Sequence, residues 1–304
     1  MSTENSSFRA GFACVVGRPN AGKSTLTNAL VGQKVAITSK RPQTTRRVIR
    51  GIVHRPEGQL VLVDTPGLHR PRTLLGERLN DLVRGTLAEV DLVVFCLPAD
   101  QRIGPGDRYI ARELQDGRTP VVAVATKADA VGKARMAEHL MAMADLGSWS
   151  QIIPVCATSG FQLEELIQVL LAELPVSAAL YPAGELTDEP DQVMVAELIR
   201  EAALEGVRDE LPHSLAVVVE EMVERDTPRA DGRPLVEVRA EIYVERDSQK
   251  AIVIGRGGSR LKQVGTQARH GIEALLGSSV YLDLHVRIAK DWQRDPRQLR
   301  KLGF

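Results

Sequence analysis

The sequence has no net charge, because 39 acidic residues offset its 39 basic ones. That balance excludes a chain that holds polyanions through bulk charge alone. Cysteine is scarce: only Cys14, Cys96 and Cys156 occur, each within an apolar run and no two in Cys-x-x-Cys spacing. This excludes a disulfide scaffold and reads the three as small core hydrophobes in a reducing compartment. Aromatic residues make up 4%, which by itself decides nothing. No apolar run approaches the roughly 20 residues a membrane span needs. The polar opening, residues 1–7, does not resemble a signal peptide, so the expected location is the cytoplasm.

The zero balance hides a local asymmetry. Residues 1–180 carry 21 basic and 17 acidic side chains, residues 181–247 carry 7 and 18, and residues 248–304 carry 11 and 4. The basic C-terminal block suggests an anionic partner, against the plainer reading of a solvated tail. The acidic segment before it is expected to shield that basic face or repel wrong sites.

At 304 residues the chain is long enough for about two domains. Up to about residue 175, short apolar runs at 12–16, 48–54, 60–63, 92–97, 121–125 and 152–155 alternate with helical periodicity at 74–88, 108–115, 134–146 and 163–174. Such alternation implies an α/β fold, a mostly parallel sheet with helices on both faces. Residues 33–47 are polar, without clear period, and read as a mobile loop. Residues 175–190 hold three prolines, a glycine and several acids and read as a linker. After them the order changes to a helix at 193–207, strands at 214–225 and 235–246, a helix at 260–276 and a strand at 279–289. The expected division is therefore 1–175, a linker over 176–190, and a second, α+β domain over 191–304.

Gly17-Arg-Pro-Asn-Ala-Gly22-Lys23-Ser24 fits G-x-x-x-x-G-K-[ST] between a strand and a helix, the context that pattern requires. Its glycines let backbone N–H groups wrap phosphates, and the helix N-terminus adds partial positive charge. Lys23 is placed to reach the β- and γ-phosphates and the Ser24 hydroxyl to bind Mg²⁺. Asp64-Thr-Pro-Gly67 follows the third strand, where Asp64 can hold Mg²⁺ and the Gly67 N–H can sense the γ-phosphate. Thr126-Lys127-Ala128-Asp129 follows another buried strand. A carboxylate there pairs with guanine N1–H and its 2-amino group, and adenine would leave it desolvated and unpaired. Cys156-Ala157-Thr158-Ser159-Gly160 follows a further strand and offers the Ala157 N–H to the guanine oxygen.

These four motifs, in this order and spacing, resemble the G motifs of small GTPases related to translation factors. The resemblance implies a nucleotide site of Gly17, Asn20, Ala21, Gly22, Lys23, Ser24, Thr25, Asp64, Thr65, Pro66, Gly67, Thr126, Lys127, Asp129, Cys156 and Ala157, with GTP or GDP and Mg²⁺ bound. Thr126 stands where the family usually has Asn, and Cys156 where it usually has Ser. The Thr126 hydroxyl can still bridge to the phosphate loop. Pro42-Gln-Thr-Thr-Arg46 resembles the first switch of the Era-like branch, which makes Thr45 a Mg²⁺ ligand in the GTP state, with Thr44 as rival. The expected metal set is Ser24, Thr45 and Asp64, and the groups acting in catalysis are Lys23, Thr45 and Gly67. Leu68 occupies the place of the water-orienting Gln of Ras-like proteins, so hydrolysis is expected to be slow without a partner. Arg46, Arg47 and Arg70 can add charge, although loop arginines are usually solvated.

In the second half, Ile252-Val-Ile-Gly255-Arg256-Gly257-Gly258-Ser-Arg260-Leu-Lys262 reads as an apolar turn, a G-x-x-G loop and a basic helix. Glycines there let backbone press against a sugar–phosphate strand, with Arg256, Arg260 and Lys262 as countercharge. This is the logic of the KH module, and the order helix, strand, strand, G-x-x-G, helix, strand resembles its type II form. A GTPase joined to such a domain resembles the Era family from about residue 10 to residue 292. That resemblance implies RNA binding through Gly255, Arg256, Gly257, Gly258, Arg260 and Lys262. The implied partners are the 3′ end of small-subunit rRNA and the 30S subunit, with a role in its maturation, peripheral contact with the inner membrane face, and a monomer. The tail 294–304 is left with RNA, lipid or no partner. The competing readings are a P-loop ATPase or kinase, a scaffold that binds nucleotide without hydrolysing it, and a related tRNA-modifying GTPase.

Overall fold

The computed structural model describes residues 8–304 except 40, 42–43, 69–70, 72, 206, 208–210 and 226–233. The chain divides into two compact units. The first comprises residues 1–38, 45–71 and 78–188, and the second 39–44, 72–77 and 189–304.

The first unit runs β1 (Arg9–Val16), α1 (Lys23–Val31), β2 (Ile49–Arg55), β3 (Gly58–Asp64), α2 (Leu74–Glu89), β4 (Leu92–Pro98), α3 (Pro105–Gln115), β5 (Val121–Thr126), α4 (Lys133–Ala144), β6 (Gln151–Pro154) and α5 (Leu163–Glu173). Its six strands lie in the order β2-β3-β1-β4-β5-β6, all parallel except β2, which runs antiparallel to β3. The parallel strands are apolar on both faces because helices cover both. Ala13 and Val15 of β1 pack with Leu26 of α1 and Leu170 of α5. Cys14 and Val16 point the other way, toward Val83 of α2, Ile110 of α3 and Met143 of α4. The three cysteines are buried and free, and burial pushes the Cys14 and Cys96 thiols up to about 12.

Chain order reverses on either side of β1, so the carboxyl ends of β1, β3, β4 and β5 open on one crevice, where open α/β sheets bind ligands. The registers Val15 with Asp64, Val16 with Phe95 and Pro98 with Thr126 align those ends.

Two segments differ from the sequence expectation. The stretch read as a mobile loop begins anchored: the Asn28 side chain accepts from the Val35 and Ala36 amides and donates to the Ala36 carbonyl, and Val35, Ala36 and Ile37 are buried. One asparagine on α1 thus replaces the pairing a periodic pattern would have revealed. The proline-rich segment is also held against its own unit. The Ala10 amide donates to Pro175 and the Ile52 amide to Leu186, Gln59 accepts from the Leu180 and Tyr181 amides, and Asp188 takes Arg50 at 3.0 Å and the Tyr181 hydroxyl at 2.8 Å.

The second unit contains α6 (Asp191–Leu204), α7 (Leu211–Ser214), β7 (Ala216–Arg225), β8 (Leu235–Val244), α8 (Asp247–Ile254), α9 (Ser259–Leu276), β9 (Ser279–Ile288) and α10 (Pro296–Lys301). Its sheet is β7-β8-β9, with β7 antiparallel and β9 parallel to β8. The apolar turn expected before the G-x-x-G loop is the helix α8. The Gln249 side chain starts it by accepting from the Glu245 and Arg246 amides, a cap that outweighs the strand-like run Ile252-Val253-Ile254. Three acidic residues of the sheet are engaged locally: Arg225 and Arg239 meet Glu237, Arg239 meets Glu221, and Arg287 meets Glu241. These pairs occupy charge that the sequence had suggested for shielding the basic face.

The tail is part of the core. Trp292 is fully buried, its indole donates to the Ser214 carbonyl at 2.9 Å and it stacks on Phe304 at 5.5 Å. Leu299 and Leu302 are buried beside them in sequence. Replacing Trp292 with Ala is expected to cost the second unit about 3–5 kcal/mol, read by urea unfolding followed by circular dichroism. A loss below about 1 kcal/mol would show that Trp292 and its stack on Phe304 are not structural.

Candidate functional site

The loop leaving β1 wraps back on itself before α1. Gly17 has φ 153° and a Cβ there would lie 2.7 Å from the Cys96 carbonyl, so only glycine fits. Asn20 takes a left-handed conformation, and Gly22 enters α1 with φ 89°. The nested turn buries the Lys23 ammonium, which donates to the Gly17 and Arg18 carbonyls at 3.4 and 3.2 Å. Burial pushes its pKa down, against the pull of Asp64. Arg18 reaches out of the same loop to buried Asp107 on α3 at 2.6 Å, a brace that the motif does not announce.

Ser24, Thr45 and Asp64, which come from three separate segments, meet at this loop. The Ser24 hydroxyl donates to Asp64 Oδ2 at 2.6 Å and lies 2.8 Å from Thr45 Oγ1, which is 3.4 Å from the same carboxylate oxygen. Burial pushes the Asp64 carboxyl up, opposed by Lys23 and by hydrogen bonds from Ser24 and Thr45. The donor set fits Mg²⁺: two hydroxyls and a carboxylate, all hard oxygen ligands, beside a phosphate-binding loop. Mg²⁺ held by these three residues would offset the negative charge of a bound nucleotide's phosphates. Thr44 is not part of this cluster, since its hydroxyl turns to Ser39 and to the Arg41 carbonyl.

Beyond Asp64, the Thr65 hydroxyl donates to the Val15 carbonyl at 2.8 Å, which ties the turn to β1. A Cβ on Gly67 would fall 2.7 Å from Pro19 N, so Asp64-Thr-Pro-Gly67 lies directly on the phosphate loop. Leu68 is buried in the core with Val83 and Phe95. Pro42 and Gln43, and the candidate Arg70, lie outside the described residues. Arg46 departs from the expectation of a solvated loop arginine: it is only 2% exposed.

The base-recognition loops are tied to the same frame. Thr126, in place of the usual Asn, donates from Oγ1 to the Ala21 carbonyl at 2.6 Å. Lys127 is left-handed and pairs with Asp100 at 3.0 Å. Asp129 stands exposed in the short turn that follows. The Ala128 amide donates to Val155, joining this turn to the strand before Cys156. Cys156 is buried, with Sγ 3.1 Å from Thr158 Oγ1, so its loop is closed by a thiol–hydroxyl contact. Ala157 is half-buried beside it.

In the second unit, Gly255, Gly257 and Gly258 all have positive φ, at 71°, 58° and 78°, and bend the chain from α8 into α9. Arg256 and Lys262 are exposed. Arg260 differs from the expectation: its guanidinium donates to the Ala203 and Glu205 carbonyls at the end of α6, so it caps a helix that ends without a glycine. A groove of about 470 Å³ runs from Gly258 between α9 and the edge strand β9. Leu261, Arg269, Leu282 and Leu284 line it. Sequence reading missed these four, although the i, i+8 spacing of Leu261 and Arg269 on α9 and the alternation of Leu282 and Leu284 on β9 could have marked a shared wall.

Residues 12–127 match the model for 50S ribosome-binding GTPases and residues 210–293 match the model for a KH domain. GTPase Era of Streptomyces coelicolor is 66% identical over 302 residues, covering 97% of this chain and 95% of its own. GTPase Era of Mycolicibacterium smegmatis is 64% identical over 300 residues, covering 98% and 99%. A crystal structure of Era in complex with MgGDPNP and nucleotides 1506–1542 of 16S ribosomal RNA superposes with TM-score 0.90 at 34% identity, covering 97% of this chain and 99% of that one. An Aquifex aeolicus Era variant bound to GDP and aluminium fluoride gives 0.88 at 33%, with the same coverage.

Asp129→Ala is expected to weaken GTP binding by about 3 kcal/mol, roughly 100-fold, and to leave the far weaker ATP binding unchanged. Competition binding with labelled GTP reads this. An equal loss for both nucleotides would show that Asp129 does not read the base.

Proposed function

The chain belongs to the Era family of GTPases, and from that premise we propose that it is a GTP-driven switch that grips the 3′ end of 16S rRNA through its KH unit and acts in assembly of the 30S subunit. It binds GTP and GDP with Mg²⁺ and hydrolyses GTP. The observation that carries the proposal is the meeting of Ser24, Thr45 and Asp64 at the phosphate loop in a chain that also presents a G-x-x-G loop at the head of a groove. The relative that superposes over nearly the whole chain holds a GTP analogue and that RNA together.

Each residue then has a task. Backbone N–H groups of the phosphate loop that leads into α1 hold the phosphates, and Lys23 supplies the fixed positive charge. Ser24 and Asp64 bind the cation in both nucleotide states, while Thr45 joins only when a γ-phosphate is present and draws its loop inward. Gly67 meets the γ-phosphate through its N–H. Asp129 selects guanine, Thr126 clamps its strand to the phosphate loop, and Cys156 and Ala157 close the base pocket. Leu68 cannot orient water, so hydrolysis is slow until a partner completes the site.

In the second unit Gly255, Gly257 and Gly258 let the RNA backbone approach, and Arg256 and Lys262 offset its charge. The same proposal divides the chain into a GTPase domain over 1–175, a connecting segment over 176–190 and a KH domain over 191–304. It places the protein in the cytoplasm as a monomer, touching the inner membrane face only peripherally. Among the described residues no helix is long and apolar enough to cross a membrane.

Crosslinking to total cellular RNA, with GTP and with GDP, tests the reading in wild type and in Gly257→Asp. The expected product is one discrete RNA end from the small subunit, enriched with GTP and lost in the variant. Crosslinking that is unchanged in Gly257→Asp would remove RNA binding from the G-x-x-G loop.

A further inference from the structure

The connection from β4 to α3, with the first turn of that helix, carries none of the nucleotide motifs, yet its side chains reach two of them. Asp100 pairs with Lys127 of the base loop at 3.0 Å. Gln101 accepts from Arg18 Nη2 of the phosphate loop at 3.3 Å. Asp107 takes Arg18 Nε at 2.6 Å on one carboxylate oxygen and the Gly104 amide at 2.8 Å on the other. Asp107 is buried and Arg18 only half so. A Cβ on Gly106 would fall 2.7 Å from Arg18 Cδ, so the arginine stem lies flat on the start of α3.

A buried carboxylate is costly unless charge and hydrogen bonds meet it. The start of α3 does not require one, because a neutral amide oxygen would accept from Gly104 as well. Arg18 therefore accounts for the charge, and the backbone of Arg18 shows what the pair holds. Its carbonyl accepts from Lys23 Nζ and from the Ala21 amide, each at 3.2 Å. Lys23 gives up the Gly17 and Arg18 carbonyls when it turns to a bound phosphate. The loop then keeps its shape through the ties that remain: Thr126 on the Ala21 carbonyl and Asp107 on Arg18. A loop already held in its binding shape loses less conformational freedom when the ligand arrives, so more of the interaction energy appears as affinity.

We propose that Asp107 is a positioning residue for the nucleotide: through Arg18 it holds the phosphate loop in its binding shape, from outside the motifs that contact the nucleotide. This rests on the nucleotide reading of that loop.

The test uses the full chain with Mg²⁺, titrated with GDP and with a non-hydrolysable GTP analogue. Wild type is compared with Asp107→Asn, Arg18→Met and the double variant, and each is also melted without nucleotide. Asp107→Asn keeps an acceptor for the Gly104 amide, and Arg18→Met keeps the stem over Gly106. Arg18→Met strands a buried carboxylate, so its Tm is expected to fall furthest. Adding Asp107→Asn neutralises that carboxylate and should restore most of the Tm. Affinity is expected to follow a different course: about tenfold weaker for both nucleotides in all three variants, with the double no weaker than either single. Affinity that recovers with the Tm in the double variant would make the pair structural only and overturn the proposal. Wild-type affinity in all three would overturn it too, as would losses that multiply in the double, since the two residues would then act separately. Failure of wild type to bind either nucleotide would remove the nucleotide reading and the proposal with it.

Discussion

Two opposite charges, Lys23 and Asp64, are buried at the carboxyl ends of β1 and β3, and the first unit is organised around that burial. Desolvation works against the charged form of each, pushing the lysine down and the carboxyl up. Burying charge in this way is a poor route to stability, because apolar side chains would serve as well or better. It persists because the surrounding groups are set for a guest: Gly17 and Arg18 carbonyls cap the ammonium, and two hydroxyls turn to the carboxylate. Triphosphate and a divalent cation complete the charge balance that the protein alone leaves strained.

That constraint explains the architecture. The parallel sheet brings the ends of four strands to one crevice, and the close approach at Gly17 and Gly67 lets two loops share it. Thr45 enters from a third segment and meets the other two through its side chain. The stretch at Val35, Ala36 and Ile37, which leads toward that segment, is buried.

The nucleotide site was legible in the sequence because its chemistry demands fixed residue types at fixed spacing next to a strand and a helix. Strands β1, β3, β4 and β5 were legible because both faces are buried, which leaves apolar runs, while the partly exposed β2 and β6 were marked only by their short apolar stretches. What was not legible was decided by single side chains that bond to backbone or to one partner outside any periodic pattern. Asn28 pins an aperiodic stretch, Gln59 and Arg50 hold a proline-rich one, and Gln249 starts an eight-residue helix whose β-branched run looks extended. Arg260 looked like countercharge by its place after the glycines, yet the uncapped end of α6 claims it. The groove beside α9 was invisible for a related reason: its walls join two elements that sequence spacing treats separately.

The central claim is that Thr45 reports the γ-phosphate through the cation held by Ser24 and Asp64. Thr45→Val removes the hydroxyl while keeping shape and β-branching. Its affinity for a non-hydrolysable GTP analogue and for GDP should be titrated across Mg²⁺ concentration, beside wild type. The account predicts that GDP binding and its Mg²⁺ dependence stay unchanged while the Mg²⁺-dependent advantage of the GTP analogue disappears. Equal weakening of both nucleotides, or an undiminished advantage for the GTP analogue, would contradict it.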